Sequence, residues 1–470
     1  MARVAIVTLG CPKNSVDSEG LAGLLSLRGH EIISDAAAAE VVVVNTCGFI
    51  EPARRETVEE VLDLSDLKGT SGLAGLVLAG CLVARSASEL AEALPEVDAF
   101  VDFAAYPRIA EIVTDAAAGN LSSRIHGDPG TRFDPAWWDA AIAAGPRLRF
   151  GRAPWAYVKI AEGCNRGCTF CSIPLMRGRL KSRPSEGIET EVRGLVAQGV
   201  SEVSLVSQDS VMWGRDTGDG DLPDLLGRLE AIEGLRRLRL MYLHPQGVTD
   251  RLIDLIASSH VIASYFDLSL QHVAPEVLGH MGRWGSSDRF TRMIDRIRAQ
   301  DPLAGVRSTF ILGFPGETEA QAAQVTAFVA ETDLDWVGAF TYSPEEGTRS
   351  AGMDDRVADA AARARTERVA SAAEVTMEGR ARSLVGRRLE VLAESFDRAR
   401  GAWVGRSHRE APEIDGEVRF RGGAEVTVGD FIEVVITGNL GADLEAVQTG
   451  PSQGAPGEDG RISAATPISV

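Results

Sequence analysis

From residue 2 to about residue 116, short apolar runs alternate with stretches whose apolar positions recur every three to four residues. "RVAIVTLGC", "AEVVVVNTC", "GLVLAGC" and "AFVDFA" predict strands, and "NSVDSEGLAGLLSLRGH", "EPARRETVEEVLDLSD", "SASELAEALPEV" and "YPRIAEIVTDAAAG" predict the helices that follow them. Strands alternating with helices in short units predict a parallel sheet with helices on both faces. Residues 117–150 lose the period and gather Gly, Pro and Asp, which predicts a linker packed down by Trp137 and Trp138. A second series over 151–382 supplies six strands: "WAYVKIAEG", "EVSLVSQD", "LRRLRLMYLHP", "YFDLSLQH", "RSTFILGFPGE" and "WVGAFTYSPEEGT". Six β/α units in a row predict a partly closed TIM-type barrel whose active residues lie in the loops after the strands. Ala358 to Leu384 reads as one long helix leaving it. Over 383–450 the pattern changes to "RRLEVLAES", "WVGRSHREAPEIDGEVRF", "AEVTVGDFIEVVITGN" and "DLEAVQT", short strands separated by Gly and Asp as in a small antiparallel β-barrel. The tail, 451–470, reads as disordered.

A chain of 470 residues exceeds one hydrophobic core, in keeping with several folded segments. Its 44% hydrophobic and 24% charged residues are those of a globular protein. No apolar stretch approaches a spanning helix, and "MARVAIVTLGCPKN" alternates like a strand without a cleavage-site pattern, so a cytoplasmic location and no membrane partner are expected. Charge narrows the partners further. Lys plus Arg is 48 and Asp plus Glu 67, a formal net charge of −19. A protein that grips phosphate backbones is expected to carry a basic excess, so nucleic acid is disfavoured as the primary substrate and a basic protein is favoured.

The six cysteines carry the chemical signal. Cys11, Cys47 and Cys81 each end a predicted strand of the first segment, the edge at which open parallel sheets bind ligands, so residues far apart in sequence can meet there. Cys164, Cys168 and Cys171 crowd into "AEGCNRGCTFCSIP", the loop after the first strand of the second segment. In a reducing compartment these are ligands or nucleophiles rather than bridges, although an even number permits bridges. Structural zinc takes four protein ligands from paired C-x₂-C or from cysteines with spaced histidines, and neither pattern occurs. Three thiols with no fourth point to a metal with one open position. For Cys47 or Cys81 taken singly, the alternative is a small buried apolar side chain.

The spacing C-x₃-C-x₂-C, with Phe170 before the last cysteine, resembles the motif of the radical S-adenosylmethionine (SAM) enzymes. That resemblance implies a 4Fe–4S cluster on Cys164, Cys168 and Cys171, SAM on its open iron, and reductive cleavage of SAM to a 5′-deoxyadenosyl radical. "LGCPKNSVDSE", "NTCGFIEPARRE" and "LAGC" resemble the amino-terminal signature of the methylthiotransferases, which implies a second 4Fe–4S cluster on Cys11, Cys47 and Cys81 to hold the sulfur being transferred. The family then implies a flavodoxin-like doubly wound domain at 2–116, a radical SAM core at 151–382 and an OB-like TRAM domain, used for substrate recognition, at 383–450. Within it, "LGCPKN", "YFDLSLQH" and "GRSHREAPEIDGEV" look like the RimO group, which modifies an aspartate of small-subunit ribosomal protein twelve; the alternative is the group acting on adenosine in transfer RNA. Between Ser383 and Gly450, 8 Arg and no Lys stand against 12 acids, which suits a basic ribosomal protein better than transfer RNA. The implied reaction uses two SAM, as methyl donor and as radical source, adds a methylthio group to the aspartate β-carbon, and needs an electron donor.

Other residues are candidates on local grounds. Gly313 in "ILGFPGE" is similar to a SAM-contacting segment, or marks a Gly-Pro turn. Gln208, Gln271 and His272 end strands on one face and are candidates to contact SAM or substrate, with hydrogen-bonding support the alternative for His272. Arg177, Arg179 and Arg183 are candidates to hold a carboxylate, or form a solvated basic loop. "GRDTGDGD", 214–221, fails the EF-hand spacing and reads as a loop. No catalytic side chain is assigned beyond the cluster ligands.

Overall fold

The computed structural model describes residues 1–127, 138 and 147–449. The tail 451–470, Trp137 and most of the stretch read as a linker lie outside the described residues. Arg3–Thr8 (β1), Glu31–Ile33 (β2), Val41–Thr46 (β3), Gly75–Gly80 (β4), Ala99–Val101 (β5) and Ile125–His126 (β6) form a parallel sheet in the order β2-β1-β3-β4-β5-β6. Every residue of β3 and β4 is buried, as uninterrupted apolar runs require when both faces are covered. Of the helices Pro12–Leu27 (α1), Glu51–Ser65 (α2), Cys81–Ala93 (α3) and Ile109–Ala118 (α4), α1 and α4 pack on one face, and α2 and α3 on the other. This is the doubly wound order expected. The edge strands β2 and β6 have no counterpart among the predicted elements; they are three and two residues long, and β6 falls inside the predicted linker.

The next segment contains Trp155–Lys159 (β7), a small pair Ala161–Glu162 (β8) and Lys181–Ser182 (β9), then Glu202–Val206 (β10), Arg237–Leu240 (β11), Tyr265–Gln271 (β12), Gly305–Leu312 (β13) and Trp336–Thr341 (β14). The parallel sheets β11-β10-β7 and β12-β13-β14 are joined by bridges Leu238↔Ile262 and Leu243↔Leu268, which makes one open six-stranded barrel. All six predicted strands are present. The long helix spans Asp359–Ser383 and covers β13 and β14.

Arg388–Asp397 (β15), Ala402–Arg406 (β16), Val418–Arg421 (β17), Phe431–Leu440 (β18) and Asp443–Gln448 (β19) close into a barrel ordered β15-β16-β17-β19-β18. Its pairing differs from the antiparallel expectation in one place, because β17 runs parallel to β19. The stretch read as one strand, "WVGRSHREAPEIDGEVRF", is two strands flanking a buried loop.

That loop plugs the amino-terminal mouth of the large barrel. Arg239 donates to the carbonyls of Ser407 and His408 at 3.1 and 2.7 Å, Trp336 Nε1 to that of Arg409 at 2.7 Å, and Tyr157 Oη to that of Pro412 at 2.9 Å. Asp415 accepts from Tyr265 Oη and from Arg307, both at 2.7 Å. Glu410 and Asp415, acids that the charge argument assigned to partner recognition, are therefore turned inward. A barrel mouth floored with Arg237, Arg239 and Arg307 needs buried anions more than solvent does.

Candidate functional site

At the opposite, carboxyl-terminal mouth the doubly wound domain meets the barrel. Cys11 follows β1, Cys47 directly follows β3, and Cys81 opens α3 directly after β4. Gly10, at φ +97°, allows the first and second to approach: a Cβ there would lie 2.9 Å from Cys47 Sγ. Asn14, in the first turn of α1, donates to the carbonyls of Leu9 (2.8 Å) and Thr46 (3.1 Å), which pins the Cys11 turn to the end of β3. Asn45 donates back to the Asn14 carbonyl at 2.9 Å. The three cysteines thus sit together at one sheet edge. Burial raises the Cys47 thiol, and pushes Cys81 up to about 12 against the opposing pull of Arg177.

The second triad lies in the loop after β7. Cys164 N–H donates to Gly178 O at 3.1 Å, and Cys171 N–H to Cys168 O at 3.4 Å. Thr169 is held by the carbonyls of Met281 (3.0 Å) and His280 (2.8 Å), and Phe170 meets Phe314 edge to face at 6.5 Å. Arg283 donates to Cys168 Sγ at 3.4 Å. Burial pushes Cys164 up to about 11 and Cys171 up to about 12. All six cysteines are free. Metal binding to such thiols must displace their protons, so uptake is favoured by rising pH.

Among the described residues no three His, Cys, Asp or Glu side chains converge as ligands of a single ion would. A cubane attaches each thiolate to a different iron, so its sulfurs need not converge on a point. Each triad also has cations beside it: Arg283 and, paired with Asp209, Arg166 near one, Lys13 and Arg177 near the other. The donor set fits an iron–sulfur cluster at each triad.

Between the triads runs a buried polar cluster in which the candidates Arg177 and Gln208 meet Asp17, Lys159 and Glu162, residues that no sequence motif singles out. Arg177 donates from Nε to Cys81 Sγ (3.1 Å), from Nη1 to Asp17 and Glu162 (both 2.9 Å) and from Nη2 to Asn14 Oδ1 (2.7 Å). Lys159 binds Asp17 and Glu162, and Gln208 Nε2 donates to Glu162 at 2.6 Å. Burial opposes ionisation of Glu162, but Arg177 and Lys159 overcome it and hold the carboxyl at about 2. Lys13 lies over the Tyr242 ring, 3.4 Å from its centre. It is the contact of Arg177 with Cys81, rather than the ion pairing alone, that ties this cluster to the site. Farther out, Arg85 (2.8 Å) and Arg54 both bind Glu345, in the loop after β14.

The remaining candidates divide. Arg183 binds Glu191 at 2.6 Å, while Arg179 is exposed beside Asn165, so of the three arginines only Arg177 reaches a triad. Gln208 follows β10, with its Oε1 buried and unpartnered among the described residues. Gln271 ends β12 at φ +71° and donates to Thr309 at 3.3 Å. His272 is fully buried, accepts from Ala274 N–H at 3.0 Å and faces Glu317 at 3.4 Å, a supporting position. In the 214–221 loop, Asp216 and Asp219 accept from the backbone of Ser182 (2.9 Å) and Ser185 (2.7 Å).

Gly313 gives its N–H to Glu317 at 3.0 Å, and its φ is +78°. A Cβ there would lie 2.3 Å from Ala362 Cβ in the long helix. Overpacking of this kind costs about 1–3 kcal/mol, with about 1–2 kcal/mol more for the left-handed backbone. Gly313→Ala is therefore expected to lower the Tm by several degrees, measured by circular dichroism, with iron content per folded chain unchanged.

An open parallel barrel with a three-cysteine loop after its first strand defines a radical SAM enzyme. Residues 158–329 match the radical SAM superfamily, 3–102 the family described as "Uncharacterized protein family UPF0004", and 385–448 the TRAM domain. The fold is also similar to a radical SAM methyltransferase, TsrM from Kitasatospora setae with cobalamin and a [4Fe-4S] cluster bound: TM-score 0.55 at 17% identity over 74% of each chain. Along nearly its whole length the chain is similar to ribosomal protein uS12 methylthiotransferases RimO. It is 41% identical to that of Streptomyces avermitilis over 94% of this chain and 96% of the relative, and 39% identical to that of Geobacter sulfurreducens over 94% and 97%. The chain belongs to the RimO family of radical SAM methylthiotransferases. Among the described residues no helix is long and apolar enough to cross a membrane.

Proposed function

We propose that the chain adds a methylthio group to the β-carbon of an aspartate in ribosomal protein uS12, using two SAM. In this reading Cys164, Cys168 and Cys171 hold the 4Fe–4S cluster that binds SAM, and Cys11, Cys47 and Cys81 hold the second. When bound, these groups supply one-electron cleavage of SAM and an open iron site for sulfur. One observation carries the two-cluster reading: two adjacent residues link the triads, Arg177 to one through Cys81 Sγ and Gly178 to the other through the Cys164 N–H.

The chain's own residues bind, orient and exclude. The doubly wound domain covers the barrel mouth, secured by Arg54 and Arg85 on Glu345, which keeps water from the reacting atoms. Gln208, Gln271 and Gly313 are proposed to line the SAM site, since they stand at the ends of β10, β12 and β13 above the barrel. A net charge of −19 steers a basic ribosomal protein toward the enzyme. The enzyme is proposed to work in the cytoplasm, where that substrate is, with an electron donor. The test is mass spectrometry of uS12 after anaerobic incubation with reconstituted enzyme, SAM, sulfide and a reductant. A methylthio increment on one aspartate is expected; an unmodified uS12 alongside modified transfer RNA would overturn the reading.

A further inference from the structure

Arg177 ends the helix Ile173–Arg177, which begins two residues after Cys171. Its side chain is 1% exposed and leaves the barrel domain to bond Cys81 and Asn14 in the other domain. Its plane also covers the Phe103 ring, 4.6 Å from the centre. A guanidinium fixed on four sides is a charge held in a set place, which a flexible surface cation is not. Around it Lys159 and Arg177 pair with Asp17 and Glu162, and Lys13, over the Tyr242 ring and in the field of Cys11, is a third buried cation, so these five side chains together carry one positive charge in excess. An oxidised cubane on three thiolates carries one negative charge. The excess cation matches it.

We infer that Arg177 is a positioning residue for the second cluster, lent by the barrel domain, and that its charge sets that cluster's reduction potential. The inference rests on the two-cluster reading above. The cluster gains a second negative charge on reduction, and a buried cation beside its ligand favours the more negative state. Because Gly178 holds the backbone of Cys164 while Arg177 holds Cys81, the same two residues also fix how the triads face each other.

The test uses the full chain carrying Cys164→Ala, Cys168→Ala and Cys171→Ala, in which only the second cluster remains to be titrated. In that background Arg177→Met is expected to shift the midpoint potential to more negative values and to change the electron paramagnetic resonance signal of the reduced cluster, with Arg177→Lys returning the potential toward that of the parent. An intact cluster whose potential is the same in the Arg177→Met chain overturns the inference and leaves the two-cluster reading standing. A parent that binds no iron overturns that reading and the inference together. Should Arg177→Met fail to fold, by circular dichroism, Arg177→Gln supplies the neutral side chain while keeping hydrogen bonds to Asn14 and Asp17, and the same shift, or its absence, decides.

Discussion

Replacement of Cys164 by Ala is expected to abolish 5′-deoxyadenosine formation and to cut iron from about eight to about four per chain after anaerobic reconstitution. Replacement of Cys47 by Ala is expected to cost the same amount of iron yet leave 5′-deoxyadenosine formation in place, with methylthiolated uS12 absent. The asymmetry follows from the proposed roles of the two clusters, and the independence of the two sites from the geometry. Cys164 belongs to the barrel loop held by Met281, His280 and Gly178, and Cys47 to the end of β3 in another domain. Each side chain is packed by its own domain, so loss of one sulfur does not unfold the other site. Iron analysis and product chromatography on the two variants check it. Equal loss of 5′-deoxyadenosine in both would mean that the triads do not divide the chemistry.

Glu202→Gln is expected to destabilise the chain by about 3–5 kcal/mol, because it neutralises the buried carboxylate shared by three guanidinium groups, leaving Arg406 only Glu394 and Arg237 only the more distant Glu390. Glu202, the first residue of β10, accepts from Arg239 and Arg406 at 3.0 Å each and from Arg237 at 3.3 Å, and its side chain is fully buried. Arg406 comes from β16, so this contact fastens the small barrel to the large one. Burial opposes ionisation, but Arg406, Arg239 and Arg237 outweigh it and hold Glu202 at about 2. The folded pKa lies below the unfolded value, so this stabilisation is complete above roughly pH 4.5 and is lost as pH falls toward about 2. Melting curves of both proteins across that range are the check. Their Tm values should converge as the medium becomes acid; a constant gap would mean that the carboxylate charge does not account for the stability.

Much of the fold is legible in the sequence because its strands are continuous apolar runs: "VVVVN" and "GLVLAG" are buried at every residue in β3 and β4. The cysteines are legible for a different reason, since cluster chemistry demands thiols and few other roles place three at strand ends. The partners of those cysteines are not. Asp17, Lys159, Glu162 and Arg177 come from three separate stretches; the first three read locally as ordinary charges on a helix or strand, and Arg177 as one of three equivalent arginines in a loop. The loop 407–417 misleads in the same way. Its acids look like a solvated face, because charge pattern along a chain says nothing about an arginine-lined mouth supplied by Arg239 and Arg307 some hundred residues or more earlier.

The sequence by itself determined the alternation of strands and helices, the six thiols and the family that combines them, since these depend on residue type and spacing along the chain. Only the tertiary structure decided that Arg177 joins the two triads, that Glu202 fastens two barrels and that Gly313 is required by Ala362. Those are contacts between distant segments, and hydrophobic period and local propensity carry no information about which side chains a fold brings within hydrogen-bond distance.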